Sequence, residues 1–183
     1  MKKFILPALK LSLVLLVICS LLYPLLIAAV GRFAPDPTVS AHGRVVGYVN
    51  LGQRFTDDKY FWSRPSAAAY NAAGGSGSNK GPSNPDYLKD VQAHIDTFLV
   101  HNPGVRREDI PAELVTYSGS GLDPDLSPQA AMIQVSRVAR ARGLSDERVR
   151  ELVSSHVQGP LLGLLGPSKV NVLKLNIALD DLK

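Results

Sequence analysis

The residues with the most obvious chemical potential lie in Gly74-Gly75-Ser76-Gly77-Ser78-Asn79-Lys80-Gly81, a glycine-rich run that ends around a lysine. A phosphate-cradling loop needs glycine directly before that lysine and a hydroxyl residue directly after it, so that backbone amides, ammonium and a hydroxyl-bound magnesium converge on one polyphosphate. Asn79 and Gly81 hold those places, and the run reads as a surface loop. Gly119-Ser120-Gly121 has the serine of a nucleophile elbow, but Ser118 stands where the elbow requires its first glycine. His42, His94, His101 and His156 have no metal-ligand spacing; His94 and His101 share at most one helix face. Asp123-Pro124-Asp125 opens like a calcium loop, yet Pro128 replaces the turn glycine and the closing glutamate is missing. It reads as a turn leading to a helix cap at Ser127. None of these patterns amounts to an active site.

The elements that must position such residues begin with an apolar run. From Leu11 to Val30 there is no charge, and 13 of the 20 residues are Leu, Val or Ile. A helix of that length spans about 30 Å, the thickness of a bilayer's hydrocarbon core. Residues 11–31 are therefore expected to be a transmembrane helix, with Pro24 marking a kink. A cleaved signal peptide ending at Ala29-Val30-Gly31 would carry a shorter apolar stretch, and a lipoprotein signal at Cys19 would not have bulky Val17 and Ile18 before it. Lys2, Lys3 and Lys10 precede the run and Arg32 follows it. This asymmetry predicts a cytoplasmic segment over 1–10 and an extracytoplasmic domain over 32–183.

The formal charge of +4 then loses most of its meaning, because 17 basic and 16 acidic residues remain beyond residue 31. So small an excess makes no field for nucleic acid, and nucleic-acid binding is excluded. The single cysteine, Cys19, lies inside the apolar run, so the domain must hold itself together by packing.

Phe33-Ala-Pro-Asp-Pro37 is a stiff exit from the membrane. Val45–Leu51 reads as a strand, with Gly47 weakening it or marking a bulge. Tyr60-Phe61-Trp62 reads as a buried corner, and 72–85 as a long loop. Asn84-Pro85-Asp86 starts a helix that Asn102-Pro103-Gly104 stops. Leu114–Tyr117 reads as a strand. Ser127-Pro128 opens a helix that ends at Gly143, and Ser145 opens another, with Leu144 and Val149 as its hydrophobic staple. Val170–Leu179 is the best β signal; its alternation changes phase between Val172 and Leu173. The expected fold class is α+β. Pro160–Gly166 is either a loop buried over the core or a patch that docks on a partner. Arg137, Arg140, Arg142, Arg148 and Arg150 read as a salt-bridged solvent face.

Several strings together resemble one family, the C subunit of the bacterial potassium-transporting P-type ATPase (the Kdp system). They are Arg64-Pro65-Ser66-Ala67; Gly81-Pro82-Ser83-Asn84-Pro85; Leu114-Val115-Thr116 with Ser118-Gly119-Ser120-Gly121-Leu122-Asp123-Pro124; Ser127-Pro128-Gln129-Ala130-Ala131; Arg137-Val138-Ala139; and Val170-Asn171-Val172-Leu173 with Leu175-Asn176-Ile177-Ala178-Leu179-Asp180. Ser63 stands where the family usually has glycine, and Lys174 where it has an acid. The resemblance implies a non-catalytic accessory subunit in the bacterial inner membrane, beside a potassium-translocating subunit and an ATP-hydrolysing one. Arg64, Pro65, Ser66, Gly81, Pro82, Ser83, Asn84, Ser118, Gly119, Ser120, Gly121, Asp123, Asn171 and Asn176 are then candidates for structure or partner contact. The resemblance also implies ATP and a catalytic-chaperone role that raises the pump's ATP affinity. With the domain outside the cytoplasm, that effect is expected to be indirect. The residues alone leave one alternative, a stand-alone anchored enzyme or small-molecule-binding protein.

Overall fold

The structure is a computed structural model and describes residues 2–182. It divides into two units, one ending at Asp36 and the other beginning at Pro37. The first is helical: α1 (Lys2–Val17), a π-helical turn over Ile18–Leu22, and α2 (Tyr23–Gly31). Lys3–Gly31 is long and apolar enough to cross a membrane and has no buried residue in that span. The π turn has a local cause. Pro24 has no N–H to give and its ring crowds the carbonyl four residues back, so the helix widens just before it and Tyr23 N–H bonds to Ile18 O.

The second unit is α+β, as expected. It opens with a hairpin, β1 (Thr38–Ala41) against β2 (Arg44–Tyr48). The two-residue turn His42-Gly43 has φ of 51° and 76°, the left-handed pair that matches the twist of a hairpin. The register slips where Val39 faces Gly47 and Ser40 faces Val45, which places the bulge beside Gly47. Helix α3 (Pro85–His101) is capped by Asn84, whose Oδ1 accepts from the N–H groups of Asp86 and Tyr87. Helices α4 (Pro128–Met132), α5 (Val135–Arg142) and α6 (Asp146–Ser155) follow, and a three-stranded antiparallel sheet sets β5 (Lys169–Asn171) between β3 (Asp125–Leu126) and β4 (Val157–Gln158). Helix α7 (Val172–Asp181) ends the described fold.

The core lies where these helices meet the short sheet. Val135, Val138, Val149, Val153, Val170, Leu175 and Leu179 are fully buried there. At about 1.5–3 kcal/mol for each such side chain, their burial dominates the stability of the domain.

Four expectations are corrected. Leu114–Tyr117 is not a strand: Pro111 leads into a 3-10 turn over Ala112–Leu114, and Thr116 folds its hydroxyl back onto Ala112 O. Val170–Leu179 is strand only to Asn171; there Asn171 caps α7 by accepting from Lys174 N–H, so the phase change marks a switch from strand to helix. The helix expected from Ser127 to Gly143 is two, because Gln134 N–H bonds to Ala131 O and tightens the chain between them. Finally, Pro160–Gly166 is no buried loop: Leu162 and Leu164 are 85% and 87% exposed.

Candidate functional site

The segment Tyr60-Phe61-Trp62 runs through the domain without a strand partner, and two side-chain amides serve it instead. Asn176 accepts from Phe61 N–H at 2.8 Å and donates to Phe61 O at 3.0 Å. Gln134 accepts from Trp62 N–H at 2.8 Å and donates to Trp62 O at 3.3 Å. Both side chains are buried, so each amide meets the backbone as a neighbouring strand would. Gln134 comes from the bend before α5 and Asn176 from α7; the aromatic corner is thus strapped to two helices.

Arg137 completes the strap. It is 5% exposed, contrary to the solvent face expected of it. Its guanidinium donates to Asp58 O, Tyr60 O, Gln134 Oε1 and Asn102 Oδ1 at 2.7–3.2 Å, and lies 4.4 Å from the Trp62 ring. Burial pulls its pKa down to about 10, with Asp58 and Asp57 acting the other way. It remains cationic at neutral pH. Arg150 meets Asp146 at 3.9 Å on the surface as expected, whereas Arg142 is largely covered, pairing with Asp180 at 2.6 Å and donating to Lys59 O and Leu179 O.

A second junction unites residues far apart in the chain. Arg64 pairs with Asp123 at 2.8 Å, and its Nε is buried with no hydrogen-bond partner among the described residues. Pro65 O accepts from Ser118 N–H, and Ser66 donates to Gly121 O at 2.6 Å while accepting from Tyr70 N–H. Gly121 has φ +69°, and a Cβ there would stand 2.6 Å from Ser76 O. The glycine-rich loop packs against the same strip, since a Cβ on Gly77 would stand 2.8 Å from Gly119 O. Glycine is needed here for close backbone approach. Lys80 is paired with Asp90 at 3.1 Å. Gly75 and Gly77 face the carbonyls of Ser120 and Gly119 rather than an open anion site, and this part of the loop does not fit a nucleotide phosphate.

Of the candidates from sequence, Arg64, Pro65, Ser66, Ser118, Gly119, Gly121 and Asp123 meet at this junction. Ser120 is exposed and turns its hydroxyl onto Leu122 N–H, which leaves it unlike a poised nucleophile. Gly81, Pro82 and Ser83 are exposed and lie outside the junction, and Asn84 serves as the cap of α3. Asn171 is buried, capping α7 and donating to Val49 O at 2.9 Å. Asn176 belongs to the strap. Sequence reasoning missed Gln134 and the burial of Arg137. The signal was helical spacing, because Gln134 falls between Ala131 and Val138 on the stripe that buries Val135.

These features define a class: an α+β domain, knit by buried amides and an arginine, carried behind one helix of membrane-crossing length. The family described as KdpC, the c chain of the K+-transporting ATPase, matches residues 5–181. The chain is 52% identical to the potassium-transporting ATPase KdpC subunit of Bacteroides fragilis, covering 99% of this chain and 98% of that protein. The Flavobacterium psychrophilum subunit is 51% identical over 99% of this chain and 100% of its own. That of Caldanaerobacter subterraneus subsp. tengcongensis is 43% identical over 93% and 91%. The chain belongs to the KdpC family.

Proposed function

We propose that this chain is a non-catalytic subunit of an ATP-driven potassium uptake complex. It assembles with a potassium-translocating and an ATP-hydrolysing subunit. The observation that carries this reading is the family match over residues 5–181. The geometry supports it: the motif residues that could suggest catalysis are spent on the fold, as Ser66, Ser118 and Asp123 are. The helix Lys3–Gly31 anchors the chain in the inner membrane. Lys3 and Lys10 lie on the cytoplasmic side, and the α+β domain lies on the far side.

The subunit raises the ATP affinity of the catalytic subunit indirectly. A domain outside the cytoplasm cannot touch cytoplasmic nucleotide, so it must bind two conformations of the pump with different affinity. The test has three parts. Protease added to intact spheroplasts should cut the domain, and the chain should copurify stoichiometrically with the pump in mild detergent. The KM for ATP should rise about 5- to 150-fold when the chain is removed, the usual range of such couplings. An equal KM in both preparations would refute the coupling, and a domain sheltered from protease would refute the topology.

A further inference from the structure

A cleft of about 390 Å³ opens between the segment that carries Phe55 and Trp62 and one face of α3. That volume suits a small molecule rather than a lone ion. Its walls combine aromatic surface from Phe55, Trp62, Tyr70 and Tyr117 with the imidazoles of His94 and His101. The residues lining it include no Asp or Glu, whereas Arg54 lies among them. Arg54 is exposed and has no ion pair among the described residues. Asp58 sits behind the cleft on His101, and Arg54 is left as the unpaired charge among the lining residues, which favours an anion there.

The walls are fixed before any ligand arrives. His94 Nδ1 lies 2.9 Å from Val115 O, and His101 Nδ1 lies 2.8 Å from Asp58 Oδ1. Both partners only accept, so both Nδ1 atoms carry hydrogen and each ring is held at one edge. The His94 ring meets Tyr117 edge-on at 5.1 Å, and His101 meets Trp62 at 4.8 Å. On the opposite wall Ala69 and Tyr70 both adopt left-handed backbone, with φ of 51° and 59°. Left-handed backbone is strained in a non-glycine residue, and such strain gathers at ligand clamps. Tyr70 is kept there by its N–H on Ser66 Oγ and its hydroxyl on Arg64 O. Preformed walls reduce the cost of ordering on binding.

We infer that this cleft binds a small organic acid, its apolar or aromatic body between the Trp62 and Tyr117 walls and its carboxylate on Arg54. The assignment is independent of the pump, because the isolated full chain in detergent contains every residue it invokes. Trp62 is the sole tryptophan, so its fluorescence reports the cleft directly. Three probes share one body and differ in charge: phenylacetate, neutral phenylacetamide and cationic phenethylamine. Phenylacetate should change Trp62 emission saturably and bind at least about tenfold more tightly than the amide, with the amine weaker still. Arg54→Gln should bring the acid to the level of the amide while the thermal midpoint stays unchanged, since Arg54 is exposed and unpaired. Loss of the acid's preference in that folded variant supports the site. An absence of saturation, equal binding of acid and amide, or an acid preference that survives Arg54→Gln would each overturn it.

Discussion

Asn176 puts one amide where a strand would put two backbone groups, and the fold depends on it to satisfy Phe61, a residue with no exposed surface. Asn176→Leu keeps the branched shape, with bulkier methyl groups, but leaves the Phe61 N–H and C=O buried without partners. Each such group costs about 1–3 kcal/mol, so the substitution should destabilise the domain by about 2–4 kcal/mol and lower its thermal midpoint by about 5–10 °C. Calorimetry of the full chain in detergent checks this, with Ser120→Ala as the exposed control expected to change little. Tyr70 gives a pH-dependent counterpart. Burial raises its phenol above the ordinary value of 10.0, with Arg54 opposing. As pH passes 10 the unfolded phenol loses its proton first, so the folded state holds more protons and stability falls as pH rises. Tyr117 is raised in the same sense, chiefly by desolvation. Tyr70→Phe should therefore flatten, without abolishing, the loss of thermal stability between about pH 9 and 11. A slope identical to that of the parent would place the alkaline loss elsewhere.

Two glycines among the motif strings separate a structural demand from a coincidence of sequence. Gly121→Ala forces a Cβ against Ser76 O at φ +69° and should cost about 2 kcal/mol or more, whereas a Cβ on Gly81 meets nothing within 4 Å. Urea unfolding of the two alanine variants should rank them in that order; similar midpoints would remove the close-approach argument. The contrast shows what was legible. Helix limits set by neighbours in sequence were readable, because Asn84, Ser127 and Ser145 cap residues two or three positions on, and Gly143 adopts the left-handed turn that ends α5. Among the strands, β2 was legible with its irregularity at Gly47, but β3, β4 and the limits of β5 were not, because these are two or three residues long and exist only through pairing across the chain. The apolar residues from Val172 onward alternate well enough to resemble a strand, and only the Asn171 cap and burial at Val172, Leu175 and Leu179 decide for helix. The candidate site was legible as strings and not as contacts, since Arg64 and Asp123 are 59 positions apart and Phe61 and Asn176 are 115 apart. The leucine loop is the reverse case. Pro160 and Gly163 close its turn, and Leu161 and Leu165 bond to each other's backbone, so its exposed side chains are presented by an ordered element. Leu162→Asp with Leu164→Asp should leave domain stability within about 0.5 kcal/mol. If the loop is the surface by which the chain meets the other subunits, the same pair should reduce copurification with them; undiminished recovery would assign the contact to another surface.

For the whole molecule, the proposed effect on ATP carries a thermodynamic obligation. Binding couplings are reciprocal: a subunit that tightens ATP by some factor must itself be tightened by ATP through the same factor. The core of the KdpC-family domain is strapped by Gln134, Arg137 and Asn176, and under the proposed function the domain acts by binding one pump conformation more tightly than another. Its own cavities and loops need not rearrange for the coupling to act. Under the proposed topology, occupancy of the cytoplasmic nucleotide site should therefore slow release of this chain on the other side of the membrane. The measurement is the dissociation rate of the labelled full-length chain from the detergent-solubilised complex, with and without a non-hydrolysable ATP analogue. Retention should lengthen with nucleotide by a factor that matches the change in the analogue's Kd when the chain is removed, provided association is unaffected. A domain that worked merely by holding the pump subunits together would leave the dissociation rate indifferent to nucleotide. That result would reduce the chain to a scaffold, and reciprocity makes the distinction accessible from either side of the bilayer.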